Sequence, residues 1–326
     1  MSATALDAYT LEKLVAAAVA APSVHTTQPW RFRLDPGALT LQMRAATGRA
    51  LRHTDPTGRA LHVSVGCALF NPRVAAVHFG WEPVPRLPPR PEQPDLLATV
   101  RLAGASRTSV PPALYEAVWR RHSCRFPFSD RALPTAVVRE LRDAAGADGA
   151  HLDLVSPADV DPLLRLIGQA EHRNNADTDR AAESRRWVRA SGRAADGLAP
   201  EVLGPQDFLD RVPMRDFGTH RRPGALTAVP FEHRPHLLVL STDHDRRADW
   251  LRAGQALEHV LLVATAHGVR ASLLDQALEW PDLRDRLILP SASGRPRHAQ
   301  MVIRAGYGPE GPPSPRLPVP TPWRAS

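Results

Sequence analysis

Near the start of the chain apolar positions recur with helical spacing. Leu11, Leu14, Val15, Ala18 and Val19 stand at i, i+3, i+4, i+7 and i+8, one face of a helix that Thr10 is placed to cap and Pro22 to end. The period then changes. Residues 30–34 alternate as a strand, Pro36-Gly37 supplies a turn, and 39–43 return as the other arm of a hairpin. A long helix is expected over about 58–79, stopped by Gly80 and kinked at Pro72, with a short strand at 81–84. Pro83 cannot donate to a ladder, so that strand belongs at a sheet edge.

The same order of elements recurs downstream. Segments 66–80 and 254–268 both begin and end at glycine; Ala68-Leu69 matches Ala256-Leu257, Val74 matches Leu262, and Ala76 matches Ala264. Each leads into a short strand, 81–84 or 269–273, and 12–18 resembles 139–145 in the same way. Helix, hairpin strand, long helix and strand are thus present twice, which points to internal duplication. The second copy begins near 112, with helices expected at 112–121, 133–145, 159–173 and 179–189 and a strand at 151–155. Between 191 and 235 periodicity fails, and glycine and proline recur from Gly197 to Pro230. A loop of that length inside a compact domain is usually a functional cover or an unstructured segment.

Composition narrows the function. With 326 residues, 43% of them hydrophobic, the chain can bury a large core as one big domain or two lobes. The net charge of +7 does not indicate nucleic acid, because Lys13 is the only lysine and the arginines are scattered among acids. No run of 18 apolar residues and no signal-like start is present, so no membrane association and a cytoplasmic location are expected. Cys67 and Cys124 alone make no disulfide framework. Prolines gather in 83–94 and 309–322, which read as extended connectors or arms.

Two short segments carry chemistry. Arg121-x-Ser123-x-Arg125 brings two guanidinium groups and a hydroxyl into one stretch, a set suited to a phosphate monoester, though alone it also fits a solvated helix end. Ala21-Pro22-Ser23-Val24-His25-Thr26-Thr27-Gln28-Pro29-Trp30 joins the first helix to the first strand. This second segment resembles the flavin-contacting turn of the nitroreductase superfamily, above all its Acg-like branch, where the pattern is A-P-S-x-H-N-T-Q-P-W; Thr26 stands in place of the asparagine. Arg121–Arg125 resembles the family signature R-x-S-x-[RK], and 314–318 its C-terminal arm.

The resemblance implies an α+β fold made of two fused halves, residues 1–110 and 111–326, that form an intramolecular pseudo-dimer with a lid at about 191–235 and a proline-rich arm. It implies one FMN site per chain. Arg121, Ser123, Arg125 and Arg316 would hold the phosphate, Pro22, Ser23 and Thr26 would touch the ring edge, and Gln276 would lie in the segment approaching N5. No catalytic side chain is called for, since the flavin carries the electrons. Three functions are open: a flavin shielded by the lid with weak or no reductase activity, an NAD(P)H-dependent reductase of nitroaromatic or quinone-like acceptors, or a remnant that has lost flavin. A fused chain could be a monomer or a homodimer.

Other patterns carry less. Gly306-x-Gly308-x-x-Gly311 lacks a following helix, because prolines come next. Glu232, His233, His236 and Asp243–Asp245 are read as surface polar groups, and Trp30 and Cys67 as core.

Overall fold

The structure, a computed structural model, describes residues 6–88, 92–106, 109–188, 196–217, 228–287, 289–290, 296–312, 316 and 318. Helix α1 (Ala8–Val19) is capped by Asp7, whose carboxylate accepts from the Thr10 amide at 2.6 Å, so Thr10 is a buried residue of the first turn and not the cap. After a 3-10 turn at Val24–Thr26 come β1 (Trp30–Asp35), β2 (Thr40–Ala45), α2 (Arg59–His78), β3 (Trp81–Arg86) and β4 (Leu96–Ala105). The strands form an antiparallel sheet in the order β1-β2-β4-β3. Pro83 does sit on an edge strand. The sequence reading missed β4, although it is a central strand of this sheet.

The chain continues through α3 (Pro112–Arg120), α4 (Thr135–Ala147), β5 (His151–Leu154), α5 (Pro157–Ala176), α6 (Thr178–Arg186), β6 (Gln206–Asp207) and β7 (Ala228–Val229). It ends in β8 (His236–Thr242), α7 (Arg247–Ala266), β9 (Arg270–Leu273), α8 (Pro281–Arg284), β10 (Leu289–Pro290) and β11 (Pro296–Gly306). The second sheet runs β5-β8-β11-β9, again antiparallel throughout, with β10 beside β11.

The two sheets share one connectivity. Helix, strand, strand, helix, strand, strand is α1-β1-β2-α2-β3-β4 in one and α4-β5-β8-α7-β9-β11 in the other, with the same lateral order. The long helices α2 and α7 end alike, at Gly80 (φ +81°) and Gly268 (φ +71°), in a left-handed conformation that glycine adopts without steric cost. They also cross at matched glycines. A Cβ on Gly66 would lie 2.3 Å from Leu251 O, and a Cβ on Gly254 would lie 2.1 Å from Val63 O. The contacts are reciprocal, each glycine meeting the carbonyl three residues before the other, as a two-fold relation between the helices requires.

Where the halves differ is the link between their first two strands. Residues 36–39 turn β1 into β2, whereas 155–235 separate β5 from β8. Within that insertion α5 lays Leu163, Leu166, Ile167 and Ala170 on the outer face of the second sheet, against Leu237, Val239, Ala299 and Val302. The alternate residues Leu238, Leu240, Met301 and Ile303 face the main core shared with α2 and α7. Helix α2 is long and apolar enough to cross a membrane by length and mean composition, but it is buried in the core of the fold.

Candidate functional site

The α1–β1 turn is tightly wound. His25 (φ +47°), Thr26 (φ +53°) and Gln28 (φ +48°) all occupy the left-handed region, which costs a non-glycine residue on the order of 1–3 kcal/mol. Such a turn persists only when its surroundings fix it. Ser23 Oγ accepts from the Gln28 amide at 2.9 Å, and Ser64 Oγ accepts from the Val24 amide at 3.1 Å. From the insertion, the Gly197 amide donates to Thr26 O at 3.1 Å and Arg215 donates to His25 Nε2 at 3.2 Å.

Far downstream in sequence, the segment after α3 is pinned to β9. Ser123 bridges Ala271, and the Cys124 amide donates to Ala271 O at 2.8 Å. This carries Arg121 under the end of α1, where its Nη2 donates to Ala20 O at 3.0 Å; Arg316, from the C-terminal arm, donates to the same carbonyl at 3.2 Å. The partial negative charge at a helix C-terminus favours both cations. Arg125 donates to Val202 O at 3.0 Å.

Between these segments lies a cavity with about 950 Å³ of empty space, open solvent at its mouth included. Seven of the eight residues singled out in the sequence line it: Pro22, Ser23, Thr26, Arg121, Ser123, Arg125 and Arg316. Gln276 does not. Its amide donates to Pro213 O, so it ties down the insertion instead. The neighbour Asp275 lines the cavity, a displacement of one residue that the sequence could not resolve. Ser314 lies outside the described residues.

Among the described residues, five arginines, Arg59, Arg121, Arg125, Arg215 and Arg316, face the cavity with one carboxylate, Asp275. Burial pushes Arg125 down to about 10, with Asp275 opposing, and pushes Arg316 down to about 9, with Arg121 adding repulsion. In both, burial is the largest influence and disfavours the charged form. Arg215 is the exception. Burial works against its charge, yet Glu279, Asp275 and Glu171 raise it, and it bonds to Asp275 and Glu279. Burial and the Arg215 charge lower His25 to about 3, so its ring is neutral at physiological pH.

Arg59, Arg215, Asp275 and His25 were not among the residues singled out. His25 lay inside the quoted motif, but Arg215 lies in the aperiodic 191–235 stretch and carries no local signal. The described part of that stretch is packed, not loose: Leu198, Val202, Leu203 and Phe217 form a cluster, and Met214, Arg215 and Phe217 line the cavity. Residues 191–195 and 218–227 lie outside the described ones. Among the patterns set aside, Glu232 is not on the surface as expected. It is buried and paired with the fully buried Arg304, which the sequence spacing did not reveal. Trp30 packs in the core, away from the cavity.

No family model matches the chain. Among curated proteins it is 32% identical over 314 residues to "Putative NAD(P)H nitroreductase Rv3131" of Mycobacterium tuberculosis, covering 95% of this chain and 90% of the relative. It is 30% identical over 321 residues to "Putative NAD(P)H nitroreductase acg" of the same organism, covering 95% and 93%. Among solved structures, a nitroreductase with bound FMN from Bacteroides fragilis is 15% identical over 62% of this chain and 91% of its own, at a TM-score of 0.36, too slight a likeness to carry an inference. Near-complete coverage by relatives of this identity, together with the α+β architecture, places the chain in the nitroreductase superfamily, in its Acg-like branch.

Proposed function

We propose that the chain is an FMN-binding nitroreductase-like protein with one flavin site, completed within a single chain by residues from both halves, 1–110 and 111–326. The observation that carries the reading is the convergence on one cavity of the 22–26 turn, the 121–125 triplet and Arg316. The donor set fits the cofactor. Arg121, Ser123, Arg125 and Arg316 offer guanidinium forks and a hydroxyl to a phosphate dianion, whose charge would relieve the depressed Arg125 and Arg316. The Pro22–Thr26 turn supplies polar groups at the other end. FMN when bound would supply two-electron chemistry between an NAD(P)H-type donor and a nitroaromatic or quinone-like acceptor.

The halves would form a pseudo-dimer in which only one of two related sites is kept. Asp148 caps the end of α4 as Ala20 caps α1. At Ala20 the carbonyl gathers two arginines beside the cavity. At Asp148 a carboxylate ties up Arg73 at 2.7 Å and His259 at 2.9 Å, closing the related position. In this reading the 191–235 insertion shields the flavin, with Met214, Arg215 and Phe217 as its inner surface. A reductase open to NAD(P)H is the second reading, favoured by the names of the relatives.

Purified protein reconstituted with FMN should show a visible flavin band at one FMN per chain. No band would leave only a remnant that has lost the cofactor, and two tightly bound FMN would refute the single site. Anaerobic addition of NADPH then separates the readings: slow or absent bleaching, with rapid bleaching by dithionite, supports the shielded flavin, and fast bleaching by NADPH supports the open reductase.

A further inference from the structure

Glu258 lies on α7 behind the anion end of the cavity, completely buried, with Asn71 on α2 the polar neighbour of its carboxylate. Its close charge is Arg121, whose Nε stands 3.4 Å from Oε1 and makes no hydrogen bond among the described residues. We propose that Glu258 is the positioning residue of the phosphate site: it holds the Arg121 guanidinium in place before phosphate binds and takes up one proton from solvent when a phosphate dianion engages that guanidinium. The inference deepens the flavin reading and rests on it.

The surroundings of Glu258 make its charge conditional. The groups that face it are Arg121 beyond α3, Arg316 from the C-terminal arm, and Asn71 and Cys67 on α2. Burial raises its carboxyl, and Arg121, then Asn71 and Arg316, hold it down. The Cys67 thiol is pushed well above its ordinary value, chiefly by burial and then by Glu258, so it stays neutral. Ionisation therefore depends mainly on the two guanidinium groups that the proposed site offers to phosphate. A bound dianion both draws on those cations and adds two negative charges in a low-dielectric interior, and each effect favours the neutral carboxyl.

The fold itself does not ask for a carboxylate here. Glu258 stands four residues after Gly254; four residues after Gly66, the related position of α2, is Phe70, which stacks on His259 at 4.6 Å. An acid has been placed on one helix of the pair, at the end where the arginines gather.

Titration calorimetry of apoprotein with FMN at pH 8, in two buffers of different ionisation enthalpy, reads the proton count. At that pH the flavin phosphate, with a second pKa of about 6, is already a dianion. The wild type should take up about one proton per FMN, and Glu258→Gln should bind FMN with that uptake abolished. FMN binding by the wild type without uptake overturns the inference and leaves the flavin site standing, as does equal uptake by the two proteins. If the variant fails to fold, the wild-type count still decides. Failure of the wild type to bind FMN overturns the flavin reading, and the inference with it.

Discussion

The two sheets are built on one plan and treated differently. In the first, β2 alternates, with Leu41 and Met43 buried and Thr40, Gln42 and Arg44 between them, because the outer face meets solvent. In the second, β8 is buried along both faces from Leu237 to Thr242, because α5 covers the side that is open in the first half. An insertion at a hairpin turn thus converted a two-layer half into a three-layer one. The same insertion carries Arg215 and Phe217 to the cavity. What the comparison teaches is that the core of this fold tolerates asymmetry outside the helix crossing, and that function collects where symmetry is broken.

The crossing itself should tolerate least. Gly254→Ala puts a methyl 2.1 Å from Val63 O, and since two helix backbones must part, a loss of roughly 3 kcal/mol or more is expected in urea unfolding. A loss under about 1 kcal/mol would mean that the helices can slide and that the two-fold contact is incidental. Next comes the functional asymmetry. Arg125→Ala removes a charge-assisted contact worth about 1.5–3 kcal/mol, so FMN affinity by fluorescence quenching should fall roughly 10- to 150-fold. Arg73→Gln, at the closed related position, should leave that affinity unchanged; equal losses would undo the distinction between the two positions.

The turn can be tested by pH. Its folded-state His25 is lowered to about 3 from an ordinary 6.5, so the stabilisation is present above pH 6.5 and lost as pH falls toward 3. Between pH 7.5 and 5 this histidine alone should cost about 2 kcal/mol, at 1.36 kcal/mol per unit. His25→Asn should flatten that part of the melting-temperature profile; parallel profiles would show that burial of the ring is not what couples the turn to the insertion. The smallest effect is expected at Thr26. A β-branched residue at φ +53° is strained where asparagine is tolerated, so Thr26→Asn should stabilise the protein by about 1 kcal/mol. FMN affinity should rise with it if the side chain touches the ring, and unchanged affinity would mark the turn as scaffold.

Much of this was legible in the chain, for local reasons. Gly66 and Gly254 could be matched because a repeated helix keeps its spacing, and Pro83 announced an edge because proline lacks a donor whatever its context. Strand β4 was missed because it follows a proline-rich connector and its neighbours β2 and β3 are set by pairing, not by local pattern. Gln276 was chosen over Asp275 because a resemblance fixes a segment more easily than the direction in which each side chain leaves it.

The sequence by itself determined the duplicated order of elements, from periodicity and turn residues, and two short motifs, whose resemblance to the nitroreductase superfamily implied the α+β class. Only the tertiary structure decided that the insertion sits at a hairpin turn, that Glu232 is buried against Arg304, and that Arg121, Arg316 and Glu258 meet at the end of α1. Those facts depend on contacts between residues far apart in the chain, where burial and charge compensation set the outcome and no local pattern records it.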